Sequence, residues 1–351
     1  MSAAVKAAVA AALLSAGALS IPALANGNHG RIDTRSGLKP DLNDPAISGD
    51  FDYGVCRGTD PDCYHDWVGD GRQNKVLIYS RTAGPRHANL GPRMAAGLNP
   101  PLVAGNIAQS ALIRWLAAEG IAADWTEDVT RLSNLNQYKA VIFLSTSRDT
   151  MQAHGRAVDP ALAINTTTSA HLDAAKTALR QYVRAGGGFV AIHNAFGTEY
   201  NWPWYEGLLG NANYYDHGAN QDGTAVVVQH DSSTAGLPGS FGFKDEWYNL
   251  VPFPTSVKFL LRVDEDTLAT KRSTHPGHGK FHPVAWCQYY DGGRSWVTTL
   301  GHDGAAFTEG SGFPGQAAFQ SLITNGIKSA MGLVPFCTVH ERKRWRPWDK
   351  D

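Results

Sequence analysis

The chain lacks any excess of charge: 31 Lys and Arg stand against 32 Asp and Glu. No bulk field therefore draws it to nucleic acid or to an anionic membrane. Long apolar runs are missing too. The stretch Ala7–Leu19 is too short and too Ala-rich to hold a bilayer. Flanked by Lys6 and by Ala23-Leu24-Ala25, it has the charge, apolar segment and small-residue cleavage site of a secretory signal. Residues 1–25 are thus expected to be removed, leaving a secreted or periplasmic protein with no stable membrane insertion. No internal repeat or low-complexity tract is present, which excludes a repeat architecture. Cysteine is sparse, at four residues, but the number is even and export permits disulfides. Cys56 and Cys63 bracket the turn-rich Arg57–Asp62. Among three connectivities the first choice is Cys56–Cys63 with Cys287–Cys337.

What the chain has is enough apolar content, 43%, for a sizeable core, and 37 Gly for tight turns. Its 10 Trp and 12 Tyr are either core filling or stacking platforms for sugar rings. Residues 26–73 are rich in Gly, Asp, Pro and Asn without a period and are expected to form an irregular arm. Strand-like Lys75–Ser80, Ile121–Trp125, Ala140–Ser145 and Phe189–Ile192 alternate with helix patterns at 104–119 and 169–184. Apolar strands unbroken by polar residues indicate an α/β, mostly parallel sheet with helices on both faces. Beyond residue 220 the chain becomes strand-rich: 225–229, 257–263, 283–290 and 295–300, with a hairpin signal at Tyr290–Arg294. A last helix is expected at 316–331, and residues 336–351 form a basic tail. The main domain spans 74–335.

Ligands of parallel sheets bind at the carboxyl ends of the strands. There the sequence places Arg81, Arg86 and His87, then Thr146, Ser147 and Arg148, then His193 and Asn194. Farther on come Tyr214-Tyr215-Asp216-His217, Asp245-Glu246-Trp247-Tyr248, His282-Pro283-Val284-Ala285-Trp286 and Gly301-His302-Asp303. Imidazoles with two carboxylates suit acid–base work near neutral pH or a divalent cation. No local ligand spacing such as His-x-x-x-His occurs, so a metal site rests on folding alone, with His193, His217, His282 and His302 as candidates.

Taken in order, Gly-Gly-Gly-Phe-Val-Ala-Ile-His, the later His217, Asp-Glu-Trp-Tyr, His-Pro-Val-Ala-Trp, Gly-Gly-Arg and Leu-Gly-His resemble the ThuA-like (trehalose-utilisation) family over about 75–334. The resemblance implies a flavodoxin-like sheet related to class I glutamine amidotransferases and a link to sugar catabolism. It also implies a pocket around His193, His217, Asp245, Glu246, His282 and His302. Amidotransferases present a nucleophilic Cys where this chain reads Ile192-His193-Asn194-Ala195, so glutaminase chemistry is rejected.

The leading expectation is a carbohydrate-active enzyme that abstracts a proton from a keto-sugar or uronic acid, as a lyase or epimerase, with His193 as base. Arg81, His87, Trp204, Tyr215, Trp247, Tyr248 and Trp286 are candidate sugar contacts. The alternatives are a glycoside hydrolase, with Glu199, Asp216 or Asp303 as second carboxyl, and a non-catalytic sugar-binding protein. Asp245 and Glu246, as strand neighbours, should point to opposite faces.

Overall fold

The structure, a computed structural model, describes residues 55–69, 71–151, 170–270 and 275–338. The signal segment, most of the arm and most of the tail lie outside these residues. Twelve strands are described: β1 (Arg57–Gly58), β2 (Lys75–Tyr79), β3 (Ala122–Thr126), β4 (Ala140–Leu144), β5 (Gly188–Ile192), β6 (Tyr214–His217), β7 (Gln221–Val227), β8 (Ser240–Asp245), β9 (Tyr248–Leu250), β10 (Lys258–Asp264), β11 (His282–Tyr290) and β12 (Gly293–Thr298). Four α-helices join them: α1 (Ile107–Ala118), α2 (Ala170–Arg184), α3 (Pro203–Leu208) and α4 (Gln316–Ala330).

The main sheet runs β3-β2-β4-β5-β12-β11-β10-β7-β8, with β1 added along β11. From β3 to β12 every pairing is parallel. Numbered by chain position, these five strands stand 2-1-3-4-5, the flavodoxin-like order, whose switch point lies between β2 and β4. From β12 to β8 the pairings are antiparallel, the strand-rich half expected from the sequence. A hairpin makes the change of direction. Asp291 and Gly292, both at positive φ, form its two-residue loop between the paired Tyr290 and Gly293.

Alternation along the strands divides the core in two. Val76, Ile78, Ile142, Val190 and Ile192 face α1 and α4, which contribute Leu112, Trp115, Leu322 and Ile323. Leu77, Tyr79, Val141, Phe143 and Phe189 face α2 and α3, which contribute Leu179, Val183, Trp204 and Tyr205. This two-sided burial explains the unbroken apolar strands.

Both expected disulfides are present, Cys56–Cys63 and Cys287–Cys337, with Cα separations of 5.2 and 5.7 Å. The first closes the loop that follows β1, which itself pairs with β11, so the end of the expected irregular arm is ordered from residue 55. Among the described residues no helix is long and apolar enough to cross a membrane.

Strands β6, β8 and β9 and helix α3 were not foreseen. β6 and β9 are short and pair only with each other, and their Tyr, Asp, His and Asn residues give no apolar alternation. β8 did carry a signal: Phe241, Phe243 and Asp245 alternate as its buried positions.

Candidate functional site

Five loops or strand ends converge above the carboxyl edge of the parallel half. The loop after β2 brings His87, and Arg86 pins that loop through the carbonyls of Leu90, Gly91 and Pro92 and through Glu127 at 2.8 Å. The chain leaving β5 turns at once, and His193 takes φ of +54° there. Such a sharp, strained strand-to-helix turn exposes a nucleophile in related architectures. Here it presents an imidazole. Leu300-Gly301-His302 follows β12, held by Asn89, whose Nδ2 donates to the carbonyls of Gly301 (2.8 Å) and His302 (3.0 Å). Glu246 follows β8, and Tyr248 opens β9.

His87, His193, Glu246 and His302 each aim one ligand atom at a common point, all within 4.8 Å of one another. The Nε2 atoms of His87 and His193 are 3.1 Å apart. His302 Nδ1 lies 3.1 Å from Glu246 Oε2, which is 3.7 Å from His87 Nε2 and 3.8 Å from His193 Nε2. His193 Nδ1 is 2.8 Å from the carbonyl of Thr299 and must donate to it, which leaves Nε2 as an acceptor. The Tyr248 hydroxyl donates to that same Nε2 at 2.9 Å.

Burial and close contacts compete in the electrostatics. Burial pushes His193 well below the ordinary imidazole range, and the neighbouring charge of His87 adds to the shift. Burial also raises Glu246, but contacts with His302 and His87 outweigh it and hold the carboxylate well below its ordinary range. His302 is lowered by burial yet ends raised, because Glu246 contacts it. Burial, with the charges of Glu246 and Asp245, keeps the Tyr248 phenol well above its usual value and therefore protonated.

Beneath the cluster lies Asp245. Its fully buried carboxylate accepts the N–H of Gly301 at 2.7 Å and of Glu246 at 2.8 Å, and burial pushes it up to about 7. Asp245 and Glu246 do diverge, one into the scaffold and one into the site.

Beside the cluster opens a cavity of about 270 Å³, walled by His87, Ser147, Arg148, Asn194, Tyr200, Tyr214, His217, Glu246 and Tyr248 among others. His217 lies 3.6 Å from Glu246 Oε1 through its Nε2.

The structure thus gathers His87, His193, His217, Glu246, Tyr248 and His302, with Asp245 below them. It does not bring His282 to the cavity. That ring contacts Glu265 at 2.7 Å and the carbonyl of Tyr248 at 2.8 Å, so it anchors β9 from behind. Nor is His193 on the cavity wall: the position expected of the base is fully buried. Trp204, Trp247 and Trp286 are core residues whose indole N–H groups reach Asp291, the carbonyl of Gln221 and the carbonyl of Leu209. Arg81 is buried against the carbonyl of Thr150. Tyr215 is exposed beside His275. Glu199 pairs with Lys176, Asp216 accepts from Asn249, and Asp303 caps residues 304–307, so none of these carboxyls lines the cavity. Arg148, expected at this rim from its strand-end position, does line it, and so does Tyr200, which carried no sequence signal.

Strand order and site together define an α/β protein with an imidazole–carboxylate centre at the carboxyl edge of its sheet. The chain belongs to the ThuA family, trehalose utilisation, whose model matches residues 75–330. It is similar to a ThuA-like protein of Bacteroides uniformis, 20% identical with a TM-score of 0.51, over 74% of this chain and 94% of that one. A ThuA-like protein of Parabacteroides merdae is 16% identical with a TM-score of 0.48, over 73% and 89% of the two chains. No curated protein matches the sequence. The first likeness bears out the fold, the class I glutamine amidotransferase-like one. Glutaminase chemistry has no nucleophile here, since all four cysteines are in disulfides.

Proposed function

We propose that the protein is a carbohydrate-active enzyme that removes a proton from a sugar carbon beside a carbonyl, giving elimination or epimerisation. In this reading His87, His193, Glu246 and His302 hold a divalent cation. The observation that carries it is the convergence of four ligand atoms beside an open cavity. The donor set fits such an ion. Ligands about 2.0–2.1 Å from a tetrahedral Zn²⁺ lie about 3.3 Å apart; here two contacts measure 3.1 Å, two more 3.7 and 3.8 Å, and all lie within 4.8 Å. His193 has the backbone partner on its second nitrogen that metal-bound imidazoles usually have. Without a cation, His87 and Tyr248 both turn toward the single lone pair of His193 Nε2.

A bound cation would supply charge stabilisation at the carbonyl oxygen. The base is His217 rather than His193. Its Nδ1 donates to the carbonyl of Gly218 at 2.6 Å, which leaves the Nε2 lone pair on the cavity side. Glu246 Oε1, at 3.6 Å, steadies the imidazolium once the proton is taken. Tyr248, kept protonated, is the proton donor on the same wall. Hydrolysis by paired carboxyls finds less support, since Glu246 is the one carboxylate on the cavity wall among the described residues. The two disulfides support an exported protein.

Elemental analysis of purified protein tests the reading. About one equivalent of Zn²⁺ or Mn²⁺ is expected, lost in His87→Ala and Glu246→Ala. Full turnover on oxidised disaccharides or uronate polymers by metal-stripped protein would overturn the cation's part. Turnover unchanged in His217→Ala would overturn the base assignment.

A further inference from the structure

The chain leaving β4, at the switch point beside β2, is stitched to both neighbouring loops. Ser147 bridges to Thr82 and Arg148 to Thr198; Arg148 N–H donates to the Gly197 carbonyl at 2.8 Å, and its own carbonyl accepts from Glu199 N–H at 3.0 Å. Arg148 stands at φ of +55°, a cost the surrounding backbone must hold in place. Its aliphatic stem lies over Gly84, where an added Cβ would come within 2.3 Å of Arg148 Cγ. Its guanidinium lies 5.3 Å from the centroid of the Tyr200 ring. This is a placed arginine, although it is exposed and on the cavity wall.

Apart from the Tyr200 ring face, no group of the described scaffold takes up its charge. The other cavity-side ion contacts belong to Glu246 and the imidazoles, and Arg148 has no carboxylate partner among the described residues. Beside it Ser147, 1% exposed, lines the same cavity with a hydroxyl that has no hydrogen-bond partner among the described residues. A buried orphan hydroxyl is unfavourable unless something else completes it. A forked cationic donor and a spare hydroxyl side by side match a carboxylate, which guanidinium binds through two parallel hydrogen bonds.

We propose that Arg148 and Ser147 bind the carboxylate of an acidic sugar, so that the substrate is a uronate rather than a neutral keto-sugar. The inference rests on the carbohydrate reading of this cavity but not on its catalytic cation. A carboxylate is favoured over a phosphate because one arginine balances one charge, and Glu246 already places a negative group on the same wall.

Calorimetric titration of the full chain with glucuronate and galacturonate, beside glucose, galactose and glucose 6-phosphate, tests the proposal with no requirement for turnover. The uronates are expected to bind at least about 10-fold more tightly than their neutral parents. That advantage should shrink at high salt and fall about 10- to 100-fold in Arg148→Gln, with part of it kept in Arg148→Lys. Ser147→Ala should retain thermal stability, since it removes an orphan donor, yet weaken uronate binding. Equal binding of acidic and neutral sugars, no uronate binding at millimolar concentration, tighter binding of glucose 6-phosphate, or an equal effect of Arg148→Gln on every sugar would each overturn it. Metal content measured in parallel separates the two readings: Arg148→Gln should keep its cation, whereas His87→Ala should lose the cation and keep its preference for uronates.

Discussion

Asp245→Ala is the substitution that most directly asks how the scaffold aims the site. The Asp245 carboxylate is fully buried and gives one oxygen to Gly301 N–H and the other to Glu246 N–H, at 2.7 and 2.8 Å. Alanine orphans both donors where the side chain admits no solvent, at about 1–3 kcal/mol each, so about 2–6 kcal/mol in all. Asp245→Asn should cost about half as much, because its carbonyl still serves one amide while its NH2 faces the other. Each donor precedes or belongs to a residue of the proposed cation site: Gly301 leads into His302, and Glu246 carries its own carboxylate into the cluster. Losing such outer support is expected to weaken cation binding by about 10- to 100-fold. Urea unfolding gives the first number, and Zn²⁺ titration against a competing chelator gives the second. If Asp245→Ala unfolds within about 0.5 kcal/mol of the parent, as a neutral surface change does, and its metal affinity is unchanged, the positioning argument fails.

His217→Ala should retain the cation and lose about 10²- to 10⁴-fold in kcat, read as turnover beside metal content; loss of both together would refute its role as base. Lys258→Met should destabilise the chain by about 3–5 kcal/mol in denaturant, because Asp231, buried with it at 2.8 Å, would keep its charge without the ammonium. The Asp231→Asn, Lys258→Met double variant should recover part of that loss, and no recovery would contradict the ion-pair account. His278, pushed down to about 4 first by burial and then by the charges of His282 and His275, accepts from Leu250 N–H while neutral. A depressed imidazole binds fewer protons folded than unfolded, so stability should be full above about pH 6.5 and decline toward pH 4. Urea melts across that range should flatten in His278→Asn; an unchanged slope would remove His278 as the cause.

How much was legible depended on whether the signal was local. The parallel strands announced themselves because each is buried on both faces, and Asp291-Gly292 marked the hairpin because only certain residues take two positive φ values cheaply. Disulfide pairing followed from one short loop. Site membership was only partly readable. Strand-end position placed His193 and His302 near one rim, but nothing along the chain distinguishes His87, which joins the cluster, from His282, which turns to Glu265 instead. That difference arises from which side of β9 each ring reaches, a tertiary fact. The tryptophans illustrate the same limit: Trp204, Trp247 and Trp286 satisfy their indole N–H groups internally, so aromatic richness records packing rather than sugar contact. Arg148 was placed at a strand end but given no task, because its meaning lies in having no carboxylate partner among the described residues, and a missing partner leaves no mark in a sequence.

β8 is the far edge of the sheet, four places from β12, yet Asp245 at its end touches the loop that leaves β12. The antiparallel half must therefore coil back over the centre. β10 slips register against β11 twice between Phe259 and Arg262, where the sheet can bend most readily. An extra or missing residue at this corner would swing Glu246 as a crane swings its hook. Chemistry at the site could then be retuned by changes in length far from it, with every functional side chain left as it was.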